Sequence, residues 1–423
     1  MIAFYNFCQL LLLVLTWPAL ILLIVLNPKY RKGIPNRLGF GLRQQLRPVL
    51  STHKTVWIHA LSVGEVSSAY PLVAGLRKEF PHLRIIFTVS TRTGLQVATT
   101  LLGPLVEKVI PSPLDLRLTV CHYIQVIQPD LFILVETDFW PNLLQTLKRK
   151  KVPTILVNGR ISQKSASSYQ KFAFFFRPLF QSFSHLCMQT DNDKRTMTQF
   201  GVKPESLHCL GNLKYDTSLQ TSQRNLQELS QRIPPNSRVF LAGSTHKGEE
   251  DIILSVYAAL KKMYSNLFLI IAPRNTKRRA EIGQLAAATD LSWQYRSEPQ
   301  TGYADLLILD TMGELPGLYS LADVAFVGGS LVCQGGHNPI EAASGGIPVV
   351  FGPHMDDFAE IRLDLLQAGG AIEVVDQTSL KQALIMLFSS EEQRRKIGDL
   401  ARAYIDIQGG VVNRHLAIIR KYL

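Results

Sequence analysis

The sequence predicts an α/β protein with two domains, each built on a mostly parallel sheet, behind an apolar N-terminal helix. Short apolar runs alternate with amphipathic helical stretches, which is the pattern of successive βαβ units. This alternation stops at a polar stretch over 217–236 and then begins again. A chain of 423 residues is also longer than one ordinary core supports, so two domains are expected.

The N-terminal run 8–26 carries no charged residue and is long enough to cross a bilayer. It lacks the preceding positive charge and the small-residue cleavage site of a signal peptide. Basic residues follow at 29–32, so the positive-inside rule places the rest of the chain in the cytoplasm. We therefore expect residues 1–30 to anchor the protein at the cytoplasmic face of the inner membrane. Pro18 would kink a spanning helix, so the alternative is a helix that enters only one leaflet of the membrane.

The first domain is expected at 31–216. A helix is predicted at 66–80, because Val66, Ala69 and Val73 fall on one helical face. The strands are predicted from short apolar runs at 56–60, 84–89, 131–135, 153–157, 185–188 and 207–210.

The second domain is expected at 237–423, after a linker at 217–236. An alternative for the last helix of the chain is that it packs back on the first domain. Two such domains in series are expected to form a cleft, and open parallel sheets bind ligands beyond the carboxyl ends of their strands. The strands are predicted at 238–242, 267–272, 305–309, 324–327, 347–351 and 371–375.

The excess positive charge is confined to one half of the chain. Residues 29–216 hold 25 Lys or Arg against 11 Asp or Glu, while the remainder is nearly neutral. Such asymmetry indicates an anionic partner, and the apolar N-terminus favours membrane lipids over nucleic acid. The five cysteines show no CxxC pairing, which argues against a zinc site or a disulfide framework. We expect neither a metal nor a cofactor.

Charged residues follow the predicted strands of the first domain. Glu65 falls in the first turn of its helix, where the helix dipole favours an ionised carboxylate. It is a candidate general base, although a simple capping role is also consistent with its position. Glu136 follows the strand at 131–135, and Lys214 follows 207–210. Lys214 could stabilise charge on a leaving phosphate or a donor carboxylate, or it could be an ordinary surface lysine.

The second domain repeats this arrangement. Glycines at 328–329 and 335–336 precede a helix, where backbone N–H groups can approach an anion such as phosphate. Asn338 is predicted to cap that helix, with Pro339 at its first position and Glu341 at the capping-box spacing. Glu341 could equally hold ribose hydroxyls. The candidate ligand-binding residues here are Pro273, Arg274, Met312, Gly313, Glu314, Asn338, Pro339, Ile340 and Glu341.

Three common motifs are missing from the sequence. No GxGxxG follows the first strand, which disfavours a dinucleotide cofactor, and no GxxxxGK[ST] marks a P-loop. A GxSxG nucleophile elbow is also absent, which disfavours a serine hydrolase.

Taken together, these segments resemble the 3-deoxy-D-manno-octulosonic acid (Kdo) transferase family of lipopolysaccharide and lipid A biosynthesis. The resemblance extends from the N-terminal helix to about residue 360. The matching segments are 57–66, 136–142, 158–162, 211–214, 244–250, 273–274, 310–315, 328–331 and 335–341.

The resemblance implies a GT-B glycosyltransferase with two Rossmann-like domains that inverts the donor's anomeric configuration without a metal. It implies that Glu65 is the catalytic base, with Glu136 and Lys214 stabilising the transition state. CMP would be bound at 273–274, 312–314 and 338–341. The implied donor is CMP-Kdo, and the implied acceptor is the lipid A precursor lipid IVA. The alternatives are a GT-B enzyme that uses another nucleotide sugar, such as a UDP-sugar, on a membrane lipid, and an inactive lipid-binding relative.

A basic and aromatic segment at 171–183 suggests a second membrane contact. It contains a run of phenylalanines between Lys171 and Arg177, as segments at the membrane interface often do. We predict that this segment contacts acyl chains or lipid headgroups, with a buried core helix as the alternative, and Phe175→Ser with Phe176→Ser is the test.

Overall fold

The computed structural model describes residues 2–26, 28–46, 53–216 and 223–423. The side chains at 18–25, 28–32, 163 and 223–225 are outside this description, as is the part of the predicted linker at 217–222. The basic residues predicted to orient the anchor, at 29–32, therefore lie outside the described side chains. The chain divides into two compact units, one formed by Met1–Asp216 with Gly410–Leu423 and the other by Thr217–Gly409.

The first unit contains a parallel sheet of seven strands within the described residues, in the order β3-β2-β1-β4-β5-β6-β7. The strand order reverses between β1 and β4, which is the switch point where open α/β sheets bind ligands. The strands are β1 (Thr55–Ala60), β2 (Arg84–Val89), β3 (Lys108–Pro111), β4 (Leu131–Val135), β5 (Thr154–Gly159), β6 (His185–Met188) and β7 (Leu207–Cys209).

Helices cover both faces of this sheet, and short 3-10 helices lie at Pro204–Ser206 and Leu213–Asp216. The helices are α1 (Ile2–Leu26), α2 (Pro28–Arg37), α3 (Leu42–Gln45), α4 (Val63–Glu79), α5 (Arg92–Leu102), α6 (Arg117–Ile127), α7 (Pro141–Arg149), α8 (Gln163–Lys171), α9 (Ala173–Phe180) and α10 (Asp191–Gln199).

The second unit is built in the same way, with seven parallel strands among its described residues in the order β10-β11-β9-β8-β12-β13-β14. Here the order reverses between β8 and β12. The strands are β8 (Arg238–Thr245), β9 (Leu267–Pro273), β10 (Trp293–Tyr295), β11 (Leu306–Ile308), β12 (Val324–Val327), β13 (Val349–Phe351) and β14 (Ala371–Glu373).

The helices of the second unit lie before, between and after these strands, and 3-10 helices add turns at Thr276–Arg278, Tyr319–Leu321 and Asp356–Phe358. The helices are α11 (Gln223–Ser230), α12 (Glu249–Lys261), α13 (Arg279–Ala287), α14 (Leu315–Leu318), α15 (Ile340–Ser344), α16 (Ala359–Gln367), α17 (Gln377–Ser389) and α18 (Glu391–Gln408).

Both faces of each central strand are buried, which explains why these strands appear in the sequence as continuous apolar runs. In β1, Val56 and Ile58 join one core cluster, while Trp57 between them joins the cluster on the opposite face. Helix α4 places Val66 and Val73 against the first of these clusters. The predicted alternation of strands and helices is therefore confirmed as two layers of helices around a parallel sheet.

Helix α1 is docked to the first unit through polar side chains near its N-terminus. The Tyr5 hydroxyl donates to Asp115 Oδ2 at 3.0 Å, and Gln9 Nε2 donates to the Asp115 backbone oxygen at 3.1 Å. Phe4 and Phe7 on the same helix are exposed. Over the described residues, no helix combines the length and apolar character needed to cross a bilayer. The prediction of a spanning anchor at 1–30 is therefore not supported.

The chain ends in α19 (Val411–Ile419) and a final 3-10 helix, Arg420–Tyr422, which belong to the first unit. Val412 donates its backbone N–H to Asp216 Oδ2 at 2.6 Å. Helix α19 packs on α4, where Gly75 permits a close approach: a Cβ at this position would lie 2.8 Å from Val412 Cγ1.

The aromatic segment after α8 is divided between the core and the surface. Phe180 is buried, and Phe175 and Phe176 pack against the core cluster beside it. Phe175 and Phe176 are therefore partly buried, which agrees in part with the alternative of a core helix, and a lipid contact by this segment stays a prediction. Phe172 and Phe174 are the exposed phenylalanines of the segment.

Candidate active site

Glu65 lies in the first turn of α4, directly beyond β1, and only 6% of the residue is exposed. Its Oε2 accepts the backbone N–H of Leu61 at 2.5 Å. Burial raises the pKa of Glu65 to about 8, against the lowering effect of that hydrogen bond, and the nearby carboxylates of Glu136 and Asp138 raise it further. Burial favours the neutral form and so opposes the helix dipole, which favours the ionised carboxylate. A pKa in this range suits a group that accepts a proton during turnover.

Glu136 follows β4, the strand that pairs with β1 across the switch point. Its backbone has a φ of 62°, in the left-handed region that residues with a side chain rarely adopt. The next strand shows the same feature, because Asn158 in β5 has a φ of 54°. Strained backbone of this kind concentrates at functional sites, where the surrounding structure holds it in place.

Asn158 connects Glu136 to the turn that carries Lys214. Its Nδ2 donates to Glu136 Oε1 at 3.3 Å, and its Oδ1 accepts the N–H of Leu213 at 2.9 Å. The Lys214 N–H in turn donates to Asn212 Oδ1 at 3.0 Å. Because this turn also packs against α4, the structure brings the segments that hold all three predicted catalytic residues to one edge of the sheet.

A buried chain of hydrogen bonds crosses the same edge. The indole N–H of Trp57 donates to the Thr88 hydroxyl at 2.9 Å, and that hydroxyl lies 2.8 Å from His59 Nδ1. His59 Nε2 lies 3.0 Å from Asp138 Oδ2, which also accepts the Trp140 indole N–H at 2.7 Å. This chain holds the Asp138 carboxylate in place near Glu65. Sequence reasoning assigned no role to His59 or Asp138, although both lie in segments that carry the resemblance, 57–66 and 136–142.

The second unit contains a pocket of about 300 Å³ at the carboxyl ends of β8, β9 and β11. Its position follows the rule for ligand sites in open parallel sheets. It is lined by Ser244, Ala272, Pro273, Arg274, Leu309, Thr311, Met312, Gly313, Leu315, Pro316, Tyr319, His337, Asn338 and Glu341.

Three of the predicted ligand-binding residues are not in this lining. Glu314 Oε1 instead accepts a hydrogen bond from Arg296 at 3.0 Å, and its other oxygen bonds the Thr311 hydroxyl. Ile340 is fully buried in the protein interior, and Pro339 precedes it at the start of α15. The structure does bring six predicted residues together around the pocket: Pro273, Arg274, Met312, Gly313, Asn338 and Glu341.

Helix α15 begins at Ile340, so the prediction that Pro339 is its first residue is early by one position. Asn338 Oδ1 still accepts the N–H of Ile340, at 3.1 Å. The predicted capping box is absent from this helix, because Glu341 Oε1 accepts from the Asn338 side chain at 3.3 Å and not from a backbone N–H. Burial raises the pKa of Glu341, while Asn338 and Arg274 act in the opposite direction.

Arg274 is the cation of the pocket lining, and its charge acts on the groups around it. Burial lowers the pKa of His337 to about 4, with Arg274 and His246 acting in the same direction. His337 is therefore a neutral imidazole at neutral pH, with its Nε2 2.8 Å from His246 Nε2. A guanidinium beside a neutral imidazole and an amide can bind a phosphate group. Sequence reasoning did not select His337, although it directly precedes Asn338.

The glycine loop after β12 binds a carboxylate of the protein itself. Buried Glu249 accepts the N–H groups of Gly329 at 2.8 Å, Ser330 at 3.0 Å and Leu331 at 3.0 Å. It also accepts the N–H of His246 at 2.9 Å. The expectation that the N–H groups at 328–329 face a phosphate is therefore wrong for Gly329. Across the described residues, no group of three or more His, Cys, Asp or Glu side chains is placed to hold a metal ion.

Comparison with known proteins relates these features to a family. A family model described as 3-Deoxy-D-manno-octulosonic-acid transferase (kdotransferase) matches residues 32–217. The 3-deoxy-D-manno-octulosonic acid transferase of Haemophilus influenzae is 34% identical over 406 residues, which cover 95% of this chain and 94% of that protein. The chain belongs to the Kdo transferase family. The transferase of the same name from Chlamydophila psittaci is 30% identical over 370 residues, covering 86% of this chain and 84% of that protein.

Solved structures agree on the fold of this Kdo transferase family member. UDP-GlcNAc 2-epimerase from Neisseria meningitidis matches with a TM-score of 0.60 and 15% identity, over 87% of this chain and 100% of that one. MurG from Acinetobacter baumannii matches with a TM-score of 0.55 and 14% identity, over 87% of this chain and 99% of that one. These likenesses confirm two parallel-sheet α/β domains of the GT-B type, and the predicted family is confirmed by its relatives.

Proposed function

We propose that this protein transfers Kdo from CMP-Kdo to the lipid A precursor lipid IVA, inverting the anomeric configuration and releasing CMP. The observation that carries the proposal is Glu65. In a member of the Kdo transferase family, this buried carboxyl group has a pKa of about 8 and lies at the switch point beside two further carboxylates. That environment suits a base that removes a proton from a sugar hydroxyl.

Glu65 takes the proton of the acceptor hydroxyl as its oxygen attacks C2 of Kdo. The new O–C2 bond forms while the bond from C2 to the CMP phosphate oxygen breaks, and CMP leaves with that electron pair. The proton remains on Glu65 until solvent removes it. Attack from the face opposite the leaving group inverts the configuration at C2.

Positive charge develops at C2 as the bond to CMP breaks. A carboxylate near this carbon stabilises an oxocarbenium-like state, as in glycoside hydrolysis, and we assign this role to Glu136. The strained backbone of Glu136 and its bond from Asn158 hold that carboxylate in one position. We assign Lys214 to the negative charge of the leaving phosphate or of the Kdo carboxylate.

The pocket of the second unit is proposed to hold CMP. Arg274 provides a guanidinium for the phosphate, and Asn338 and Glu341 provide an amide and a carboxyl group for hydroxyl and amino groups of the nucleoside. Met312 and Gly313 line the same pocket. Glu314 is bonded to Arg296 and Thr311, and we assign it the role of holding the 312–314 segment in place.

We further propose that the first unit associates with the cytoplasmic face of the inner membrane. Two observations support this: the exposed apolar side chains of α1, which include Phe4, Phe7 and Leu11, and the excess of basic residues over 29–216. Basic residues near an anionic leaflet contribute about 1 kcal/mol each. The acceptor is itself a membrane lipid, so this location supplies the substrate.

Mass spectrometry of a tetraacylated lipid A precursor incubated with CMP-Kdo and the full-length protein tests the proposal. The expected result is a product heavier by one or more Kdo residues, with CMP released in the same amount. Glu65→Gln is the matched inactive control, because it retains the shape of the side chain but accepts no proton. Product formation from a UDP-sugar in place of CMP-Kdo, or donor binding without any transfer, would show that the function is assigned wrongly.

A further inference from the structure

Arg37 at the end of α2 lies beside the carboxyl end of β3. Its Nε donates to the Ser112 backbone oxygen at 3.1 Å, and its Nη2 donates to the Ser112 hydroxyl at 3.4 Å. The backbone is fixed as well, because Leu114 donates its N–H to the Arg37 carbonyl at 3.0 Å and the Tyr123 hydroxyl donates to the Asn36 carbonyl at 2.8 Å. The guanidinium is therefore held at this edge by both its side chain and its backbone.

Two serine hydroxyls lie beside this guanidinium. Ser90 directly follows β2 and Ser112 directly follows β3, and their hydroxyl oxygens are 2.9 Å apart. The Ser112 residue is buried, with 2% exposed. Since β2 pairs with β1 and β3 pairs with β2, these groups lie at the same edge of the sheet as Glu65, Ser90 one strand away and Ser112 two strands away.

Within the part of the chain that the structure describes, no carboxylate is in direct contact with the Arg37 side chain. Its side-chain hydrogen bonds go to the neutral Ser112, and no ion pair to it is found among these residues. Burial lowers the pKa of the Arg37 guanidinium, while Tyr123 and Asp138 act in the other direction from a distance. A guanidinium has five N–H donors, so several remain for a ligand. A partly dehydrated cation with neutral partners is stabilised when an oxyanion binds it.

We propose that Arg37, together with the hydroxyls of Ser90 and Ser112, binds an oxyanion of a substrate at this edge. This deepens the proposed function and rests on it, because that reaction brings two such groups to the first unit. One is a phosphate of the acceptor lipid, and the other is the carboxylate of the transferred sugar. Both match the planar, forked geometry of a guanidinium, which an ammonium group does not reproduce.

The test compares Arg37→Gln, Arg37→Lys and the matched control Arg43→Gln in full-length protein in detergent micelles. Arg43 is an exposed arginine on α3, six positions further along the chain. KM is measured for the phosphorylated acceptor, for the same acceptor with its phosphates removed, and for CMP-Kdo. We expect Arg37→Gln to raise one KM by roughly tenfold, the ratio that corresponds to about 1.4 kcal/mol. Arg37→Lys is expected to recover only part of the loss, and Arg43→Gln is expected to match the wild type.

The pattern of KM values identifies the source of the oxyanion. A rise confined to the phosphorylated acceptor assigns the site to acceptor phosphate, and a rise in the KM for CMP-Kdo with both acceptors assigns it to the sugar carboxylate. If Arg37→Gln leaves every KM unchanged, or lowers only the thermal unfolding midpoint, the subsite does not exist. Equilibrium binding of the phosphorylated acceptor to the same variants measures the site without turnover. A failure of Kdo transfer in the wild type would therefore contradict the proposed function while still leaving Arg37 tested.

Discussion

His59 Nε2 lies 3.0 Å from Asp138 Oδ2, and this contact joins β1 to the loop that follows β4. The His59 side chain is fully buried, and the Asp138 side chain is 12% exposed. The Trp140 indole donates to the same oxygen, so two N–H groups fix the carboxylate. The position of Asp138 matters because its negative charge is one of the causes that raise the pKa of Glu65.

Replacing Asp138 with Asn should shift the pH dependence of transfer. The Asn side-chain oxygen can still accept from His59 and Trp140, so the loop keeps its hydrogen bonds, but the negative charge is removed. The pKa of Glu65 then falls, because one of the charges that favour its neutral form is gone. Since the proposed base, Glu65, must be ionised to accept a proton, the rising acid limb of the kcat profile should move to lower pH. The measurement is kcat from pH 5 to about 9, a range that brackets this pKa.

Glu205→Gln provides the control for this shift, because Glu205 is an exposed carboxylate in a 3-10 helix of the same unit. Its pH profile should overlay that of the wild type. An unchanged acid limb in Asp138→Asn, or a shift toward higher pH, would mean that the Asp138 charge does not act on Glu65 as the proposed base.

The sequence predicted the central strands well, because strands buried on both faces leave continuous apolar runs. It missed β3 (Lys108–Pro111) and β10 (Trp293–Tyr295), which lie at the edges of the two sheets. An edge strand has a neighbour on one side only and tolerates exposed residues such as Lys108. Neither short run therefore stood out from the polar residues around it.

The strand-end rule located Glu136 and Arg274 from sequence, but it could not show what each polar group binds. Glu314 pairs with Arg296, which is 18 positions earlier in the chain. Glu249 accepts hydrogen bonds from the N–H groups of a loop that begins 80 positions later. The shifted pKa of Glu65 depends on burial by packed neighbours, which no local pattern records. Contacts between distant parts of the chain determine the partners of Glu314 and Glu249 and the pKa of Glu65, so the local sequence could not predict them.

Glu65→Gln should remove activity and raise stability above neutral pH. A general base contributes roughly 10²–10⁴-fold, so kcat should fall by that factor. The folded protein raises the pKa of Glu65 from an ordinary 4.5 to about 8. In that window the unfolded chain binds fewer protons than the folded one, so the free energy of unfolding falls as pH rises from 4.5 to about 8. Because Gln carries no charge to bury, the free energy of unfolding of the variant should not show this decrease with pH.

Thermal unfolding of wild type and Glu65→Gln at pH 5 and pH 8.5 provides the check. The variant's midpoint should exceed that of the wild type by more at the higher pH, because there the wild type buries an ionised carboxylate. An equal difference at both pH values would show that Glu65 does not change its protonation between them.

Glu249→Gln should destabilise the second unit and weaken donor binding. The carboxylate accepts four backbone N–H groups, whereas a Gln amide turns an NH₂ donor toward at least one of them. An unsatisfied buried donor costs about 1–3 kcal/mol, and the loop from Gly329 to Leu331 should loosen. Denaturant unfolding and the KM for CMP-Kdo measure the two effects. Asp251→Asn, an exposed change in the same first turn of α12, should alter neither measurement.

Tyr5→Phe tests whether α1 is an integral part of the first unit. The Tyr5 hydroxyl donates to Asp115, whose two carboxylate oxygens also accept the N–H groups of Asn142 and Leu143 at the start of α7. Gln9 adds a second connection, since its side-chain oxygen accepts from Asn142 Nδ2 at 3.2 Å. Losing the hydroxyl should lower the free energy of unfolding by about 1 kcal/mol, the typical net value of one hydrogen bond.

Tyr5→Phe should also affect the position of Glu136 and Asp138, because α7 follows the loop that carries them. We expect a modest fall in kcat together with faster proteolytic release of the N-terminal segment. Tyr303→Phe, at an exposed tyrosine of the second unit, should leave both measurements at wild-type values. If Tyr5→Phe matches Tyr303→Phe in unfolding, proteolysis and kcat, then the contacts of Tyr5 and Gln9 do not hold α1 against the unit. Any effect of α1 on catalysis would then come only from the proposed contact of its exposed apolar side chains with the membrane.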